Sequence, residues 1–202
     1  MSERVVEAGM RAYYDQRASE YDDWWLGTGL FAQRDRPGWT AEVDALVHIV
    51  GSLSPVRTLD VACGTGFLTR HLRGRVTAVD QSAEMVKLAS ARIPTVLRAD
   101  AVPLPFGDGE FERVFTSHFY GHLLPGEREA FLAEARRVGR ELVLVDSALR
   151  PNANAEQHQE RVLNDGSRHV VYKRFFTAPQ LVDELGGGEV LHAGGWFVVV
   201  KH

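Results

Sequence analysis

Apolar residues recur at helical spacing in some parts of the chain and form short continuous runs in others. In the N-terminal segment, residues 3–25, Tyr14, Ala18, Tyr21 and Trp25 recur at intervals that place them on one helical face. This spacing predicts one or two helices that present an aromatic stripe.

Five short apolar runs further along the chain predict strands, at residues 57–62, 76–80, 95–99, 112–117 and 141–146. Helices are predicted around them: one over residues 40–50, one from about Phe67 and one capped by Ser82. A fourth one ends at Gly139, and its apolar face comprises Phe131, Leu132, Ala135 and Val138. Alternating helices and strands predict an α/β fold, with a mostly parallel sheet covered on both faces.

The pattern changes after the fifth run, where residues 150–159 are polar. Residues 161–163 and 169–172 predict a hairpin around the turn Asn164–Gly166, and Thr177 begins a helix that Gly186 stops. Residues 190–192 and 196–200 predict a closing hairpin. Residues 150–176 therefore form a predicted hairpin insertion between the fifth strand and the last helix.

Composition narrows the function classes. At 202 residues the chain has the length of one ordinary domain, and its 27 acidic residues outnumber its 23 basic ones with no basic run. Nucleic acid is therefore a poor partner. Cys63 is the single cysteine, no apolar stretch reaches the ~20 residues of a membrane span, and no signal-peptide pattern begins the chain. We expect a cytoplasmic protein with no membrane partner and no metal site.

The most informative motif is the glycine loop Gly64-Thr65-Gly66, which follows a buried strand directly. Glycines at such a turn let the backbone approach a ligand closely. The next strand ends in Asp80, the position from which an acid holds ribose hydroxyls. A dinucleotide fingerprint would require a third glycine where Thr69 stands, which disfavours NAD and FAD.

At these residues the chain resembles the class I S-adenosylmethionine (SAM) dependent methyltransferases, in particular a small-molecule branch of the methyltransferase type 11 kind. The segments that carry the resemblance appear in the family's order and are residues 14–22, 59–66, 79–85, 98–106 and 111–118. The resemblance implies a three-layer Rossmann-like fold whose seven-stranded sheet is mostly parallel with an antiparallel last strand. It also implies one domain over residues 1–202, with residues 1–25 as lid helices.

The resemblance implies SAM as cofactor and S-adenosylhomocysteine (SAH) as product. Asp80 would accept the ribose hydroxyls and Asp100 the adenine amino group, while Asp60 would reach the methionine ammonium through water. The lid residue Arg17 would face the SAM carboxylate. The other implied cofactor residues are Tyr14, Tyr21, Ala62, Gly64, Thr65, Gly66, Gln81, Met85, Ala101, Val102 and Ser117.

The acceptor side is less defined. His118 and Tyr120 follow the fourth strand, where a general base would meet a substrate hydroxyl or amine, and we take them as the candidate catalytic residues. The insertion at 150–176 would wall the acceptor pocket, and the rival interpretation is a dimer-forming arm. Both a monomer and a homodimer remain open, as does the accepting atom, oxygen, nitrogen or carbon.

Two other functions are compatible with parts of the pattern. A catalytically silent SAM-binding sensor or partner subunit would keep every cofactor residue and differ in an occluded acceptor pocket. A nicotinamide-dependent oxidoreductase would use the glycine loop and Asp80 but has no use for the Asp100 segment.

Overall fold

The computed structural model describes the backbone of residues 3–202 and the side chains of residues 10–202. The helices are α1 (Glu3–Arg17), α2 (Tyr21–Leu26), α3 (Trp39–Ser52), α4 (Ala83–Ala89), α5 (Pro125–Val138) and α6 (Ala178–Leu185). The strands are β1 (Val56–Val61), β2 (Gly74–Asp80), β3 (Val96–Arg98), β4 (Phe111–Ser117), β5 (Gly139–Ser147), β6 (Glu156–Val162), β7 (Arg168–Arg174), β8 (Glu189–Ala193) and β9 (Phe197–Lys201).

Seven of these strands form the central sheet, in the order β3-β2-β1-β4-β5-β9-β8. The first five are parallel to one another, β9 runs antiparallel to β5, and β8 pairs antiparallel with β9. The predicted Rossmann-like sheet with an antiparallel last strand is confirmed. Because β1 to β5 are parallel, their carboxyl ends share one edge, where open α/β sheets bind ligands.

The core lies on both faces of this sheet. Leu142 and Leu144 of β5 pack in the cluster that contains α5 and α6, whereas Val143 and Val145 pack in the cluster that contains α3. Successive strand residues point to opposite faces, so one strand contributes to both clusters. Helix, sheet and helix therefore form three layers.

The prediction of a helix from about Phe67 is wrong. The connection between the glycine loop and β2 contains one 3₁₀ turn, Thr69–His71, before β2 begins at Gly74. This connection must return along β1, whose six residues span about 20 Å. A helix over residues 67–73 would span about 10 Å, so a mostly extended path is required.

The predicted hairpin insertion forms a separate two-stranded sheet, β6 paired antiparallel with β7. Its strands are longer than the apolar runs indicated, because β6 alternates half-buried and exposed residues and most of these are polar. The hairpin packs against the N-terminal helix through a small cluster in which Leu163 and Val171 contact Tyr13. The N-terminal helix and the insertion are thereby neighbours at the carboxyl edge of the sheet.

Candidate active site

The glycine loop begins where β1 ends. Gly64 and Gly66 have φ angles of 56° and 78°, which glycine adopts without strain. A Cβ on Gly64 would lie 3.5 Å from the ring of Tyr21, and one on Gly66 would lie 2.7 Å from Ile93. Gly66 is thus required for packing, while Gly64 leaves backbone open beneath the lid.

Asp80 lies at the end of β2 and is buried. Its two carboxylate oxygens accept the backbone N–H groups of Gly64 and Ser82, both at 2.9 Å. Burial raises the pKa of Asp80, and these two hydrogen bonds oppose that effect. Each oxygen keeps a lone pair, so the carboxylate can still accept two ribose hydroxyls.

Asp60 of β1 is a buried acid with one unpartnered oxygen. Its Oδ2 accepts the Thr69 hydroxyl at 2.5 Å, while Oδ1 has no hydrogen-bond partner among the described side chains. Burial raises the pKa of Asp60 to about 8, and the nearby Asp80 carboxylate contributes in the same direction. An unpartnered buried carboxylate beside the loop fits the ammonium group of SAM.

Arg17 at the end of α1 is 8% exposed. Its guanidinium donates to the Tyr13 hydroxyl at 2.6 Å and lies 4.9 Å from the centre of the Tyr21 ring. Tyr14 packs beside Tyr21, with ring centres 6.4 Å apart. No ion pair to Arg17 occurs among the side chains of residues 10–202, so the guanidinium is free to meet a carboxylate.

The N-terminal helices α1 and α2, the predicted lid, form hydrogen bonds with the candidate cofactor loop and its neighbours. Asp22 of α2 accepts the Thr65 hydroxyl at 2.5 Å and pairs with Arg92 at 2.6 Å. Asp15 of α1 accepts the hydroxyl of Ser82, also at 2.5 Å. Of the aromatic stripe predicted from the sequence, Tyr21 lies above the glycine loop, whereas Trp25 is buried in the core against Phe67.

The predicted adenine end is more open. The Asp100 side chain is 53% exposed and pairs with Arg11 of α1 at 3.3 Å. Met85 is buried at the start of α4, whereas Val102 is 42% exposed. The remaining residues predicted here and at the methionine end, Gln81, Ala101 and Ser117, are half-buried, and Ala62 is held at a φ of 59°.

His118 follows β4 and is enclosed by aromatic rings. Its ring centre lies 4.9 Å from that of Trp24, 5.1 Å from Trp25 and 5.3 Å from Phe197. Nδ1 lies 3.3 Å from the Ser147 hydroxyl, and Nε2 is buried with no partner in the described part of the chain. Burial lowers the pKa of His118 to about 3, so the imidazole is neutral.

Tyr120 lies elsewhere. Its ring packs against Phe131 and Phe176 in the core, and its hydroxyl lies 3.0 Å from Glu184 of α6. The structure does not bring this side chain to His118 and the lid, so we give Tyr120 no role in the proposed reaction.

The N-terminal helices, the strand ends and the hairpin border a cavity of about 40 Å³, which we call the acceptor cavity. It is lined by Tyr14, Arg17, Tyr21, Trp24, His118, His122, Ser147, Arg161 and Lys173. A larger cavity of about 360 Å³ lies near the amino ends of β4 and β5, with Arg113 and Glu141 in its wall. None of the residues predicted to bind cofactor or substrate lines that larger cavity.

The hairpin contributes residues that the sequence did not single out. Lys173 of β7 pairs with Asp146 at the end of β5 at 2.5 Å, and both side chains are buried. His122 donates from Nδ1 to the Tyr172 carbonyl at 2.8 Å. Asp146 could have been found as a third acid at a strand end, but nothing along the chain places Lys173 or Arg161 beside it.

None of the helices within residues 3–202 has the length and apolar character needed to cross a lipid bilayer.

Comparison with known proteins agrees with the geometry. A family model described as a methyltransferase domain matches residues 59–142. The O-methyltransferase cnsE of Penicillium expansum is 35% identical over 126 residues, which are 53% of this chain and 46% of that protein. The malonyl-[acyl-carrier protein] O-methyltransferase of Hahella chejuensis is 32% identical over 153 residues, 69% of this chain and 52% of that protein. The chain thus spans about half the length of these curated relatives.

Among solved structures, the complex of DhpI with SAH superimposes with a TM-score of 0.73 and 26% identity. The match covers 100% of this chain and 97% of that one. These matches are to methyltransferases and to an SAH complex, and they give the nicotinamide-dependent alternative no support. The family model, the relatives and the strand order together show that the chain belongs to the class I SAM-dependent methyltransferases.

Proposed function

We propose that this protein transfers the methyl group of SAM to a small-molecule acceptor and releases SAH. One observation carries the proposal: an open glycine loop, a strand-end carboxylate, an unpartnered buried acid and an unpaired arginine meet at one sheet edge, as Gly64, Asp80, Asp60 and Arg17. These groups complement the ribose, ammonium and carboxylate of SAM.

Each group has a defined task in holding the cofactor. Asp80 accepts the ribose hydroxyls and Asp100 the adenine amino group, with the Ala101 N–H directed to the ring. Gln81, Met85 and Val102 border the adenosine. At the other end Asp60 faces the ammonium, together with the Ala62 and Ser117 carbonyls, and Arg17 with Tyr14 and Tyr21 closes over the carboxylate. The support is the placement of these residues along the carboxyl edge of β1 to β4 and on the N-terminal helices beside it.

The sulfonium of SAM supplies an already electrophilic methyl group, so the chain's main task is alignment and exclusion of water. His118 is the residue we assign to the proton. With Nδ1–H directed to Ser147, its Nε2 has a free lone pair in the acceptor cavity. As the acceptor atom bonds to the methyl carbon and the carbon–sulfur bond breaks, Nε2 takes the proton of the acceptor hydroxyl or amine.

A catalytically silent SAM-binding protein is the second candidate, and the size of the acceptor cavity favours it. A volume of about 40 Å³ accommodates a few water molecules, which is less than a methyl acceptor requires. Methyl transfer therefore requires the lid to move away from the hairpin, which the polar contacts of Asp15 and Asp22 resist.

Calorimetry with SAH and with NADH tests the cofactor, and SAH release from SAM across a panel of small hydroxylated and amino compounds tests transfer. We expect binding of SAH alone and release with at least one compound. Binding of NADH would contradict the cofactor assignment. SAH binding with no release from any compound would favour the silent protein.

We also propose a small-molecule partner in place of nucleic acid, and a cytoplasmic location. The formal net charge of −4 and the single cysteine support these two proposals. A gel-shift titration with duplex DNA and RNA tests the first, and fractionation of expressing cells tests the second.

A further inference from the structure

The acceptor cavity contains more positive charge than the protein neutralises. Arg17, Arg161 and Lys173 line it, and Asp146 is the carboxylate paired with one of them, at 2.5 Å from Lys173. Neither arginine forms an ion pair among the side chains of residues 10–202. Two guanidinium groups therefore face a largely buried space without a counter-charge.

The proposed cofactor accounts for one of them. If Arg17 binds the SAM carboxylate and Lys173 remains paired with Asp146, the guanidinium of Arg161 still has no anionic partner. Its Nε atom is buried and has no hydrogen-bond partner in the described part of the chain. Leaving a buried charged donor unsatisfied is costly, which indicates a partner that arrives with the substrate.

Arg161 is also held in place by its own strand. Its Nη2 donates to the Gln159 side chain at 2.6 Å, Gln159 donates to Gln157 at 2.7 Å, and Gln157 donates to the Asn154 carbonyl at 2.9 Å. These three side chains alternate along β6 and so share one face. A chain of oriented amides behind a guanidinium is typical of a preorganised binding group.

The positive charge around the cavity lowers the pKa of basic groups that line it. Burial lowers the pKa of His122 well below its ordinary value, and the charges of Lys173 and Arg161 act in the same direction. Burial likewise lowers the pKa of Arg161 itself, with Arg17 contributing. The cavity thus disfavours a further cation and favours an anion.

We propose that Arg161 binds an oxyanion group of the methyl acceptor, a carboxylate or a phosphoryl group. This inference rests on the proposed function, because it assigns the substrate class of the same site. A guanidinium donates two parallel hydrogen bonds to either group, which suits it to planar or tetrahedral oxyanions. Lys173, on the same face of the hairpin as Arg161, is held by its ion pair with Asp146. The acceptor is a small anion that enters between lid and hairpin.

The test uses the full-length protein saturated with SAH, so that the cofactor site is filled. Tryptophan fluorescence is followed while inorganic phosphate, acetate or acetamide is added at constant ionic strength, because Trp24 lines the cavity. We expect saturable binding of at least one anion and none of neutral acetamide. Phosphate alone would identify a phosphoryl acceptor, and acetate alone a carboxylate.

Arg161→Gln should weaken anion binding by at least about tenfold. Arg161→Lys should keep part of it, because it retains the charge. The matched control is Arg168→Gln on the same hairpin, since Arg168 is exposed, pairs with Glu160 and lies outside the cavity wall. That variant should bind the anion as the unaltered protein does.

Calorimetry of SAH with each variant separates this inference from the proposed function. Failure of the unaltered protein to bind SAH overturns the proposed function. Normal SAH binding with no anion binding, with equal binding of acetamide, or with equal losses in the Arg161 and Arg168 variants overturns the assignment of Arg161.

Discussion

The Lys173 ammonium lies 2.5 Å from the Asp146 carboxylate, and the two side chains are 3% and 0% exposed. This ion pair joins the hairpin to the end of β5. Asp146 also accepts the N–H groups of Gly121 and Ser147, each at 2.7 Å. Burial by itself would raise the pKa of Asp146, but Lys173 and the Ser147 N–H group hold it below its ordinary value.

Lys173→Met should therefore destabilise the protein by about 3–5 kcal/mol, because it leaves a buried carboxylate without its cation. Urea unfolding measures the loss. Lys201→Met is the matched control, since its partner Glu189 is 62% exposed and such a pair contributes at most about 1 kcal/mol. Equal losses in the two variants would contradict a structural role for the buried pair.

Gly121 is packed tightly against the hairpin. A Cβ there would lie 2.5 Å from the Arg174 carbonyl oxygen and 2.9 Å from the Lys173 nitrogen. Gly121→Ala should cost about 1–3 kcal/mol and increase hydrogen exchange in β7, because the hairpin must move outward. Gly126→Ala is the control, since nothing lies within 4 Å of a Cβ at that position. Unchanged exchange in Gly121→Ala would show that the hairpin is not held at this point.

Asp80→Ala should weaken SAH binding by about 1–3 kcal/mol, because the ribose hydroxyls lose a charged acceptor. Asp80 also accepts two backbone N–H groups, so Asp80→Asn serves as a second variant that keeps one acceptor oxygen. Calorimetry gives the affinities and circular dichroism checks the fold. A folded Asp80→Ala protein with undiminished SAH affinity would rule out the ribose contact.

Asp60 should make both stability and SAH binding depend on pH. Burial raises the pKa of Asp60 from 3.8 to about 8 in the folded protein, so the protonated side chain stabilises the folded state. This stabilisation is fully present at pH values below the unfolded pKa of 3.8. The stabilisation is lost as the pH rises from the unfolded pKa to the folded pKa of about 8. The unfolding free energy of the ligand-free protein should fall over this interval, and Asp60→Asn should remove that part of the slope.

The affinity for SAH should change with pH in the direction opposite to the stability of the ligand-free protein. The SAH ammonium favours the ionised carboxylate, so binding at about pH 6 must release a proton and affinity should rise toward about pH 8. Calorimetry in buffers of different ionisation enthalpy measures that proton. An affinity with the same pH dependence in Asp60→Asn would place the ammonium elsewhere.

His118 should act as a neutral base across the ordinary pH range, because burial lowers its pKa from 6.5 to about 3. His118→Asn should lower kcat by about 10²–10⁴ with the acceptor identified by SAH release, and leave SAH affinity unchanged. His48→Asn, on the exposed face of α3, is the control. An acid limb near pH 6.5 that vanishes in His118→Asn would contradict the lowered pKa.

Much of the fold could be predicted because its signals are local. Each central strand is a short apolar run, Thr177 and Ser82 cap their helices, and Gly186 stops α6 in a left-handed conformation. The helix expected from about Phe67 failed because its length was limited by the distance the chain must return along β1. That distance is a property of the sheet and is absent from the local pattern.

The residues of the candidate site likewise include some that the local sequence predicts and others that only the tertiary packing brings together. Local spacing and the positions of the strand ends were enough to predict the glycine loop, the strand-end acids Asp60 and Asp80, and the aromatic stripe of the N-terminal helices. Only the packing of the hairpin brings Arg161 and Lys173 to the same cavity as His118, because more than forty residues separate them along the chain from that histidine. A hairpin's docking position depends on packing against other elements, here Tyr13, Gly121 and Asp146, and no local pattern contains those contacts.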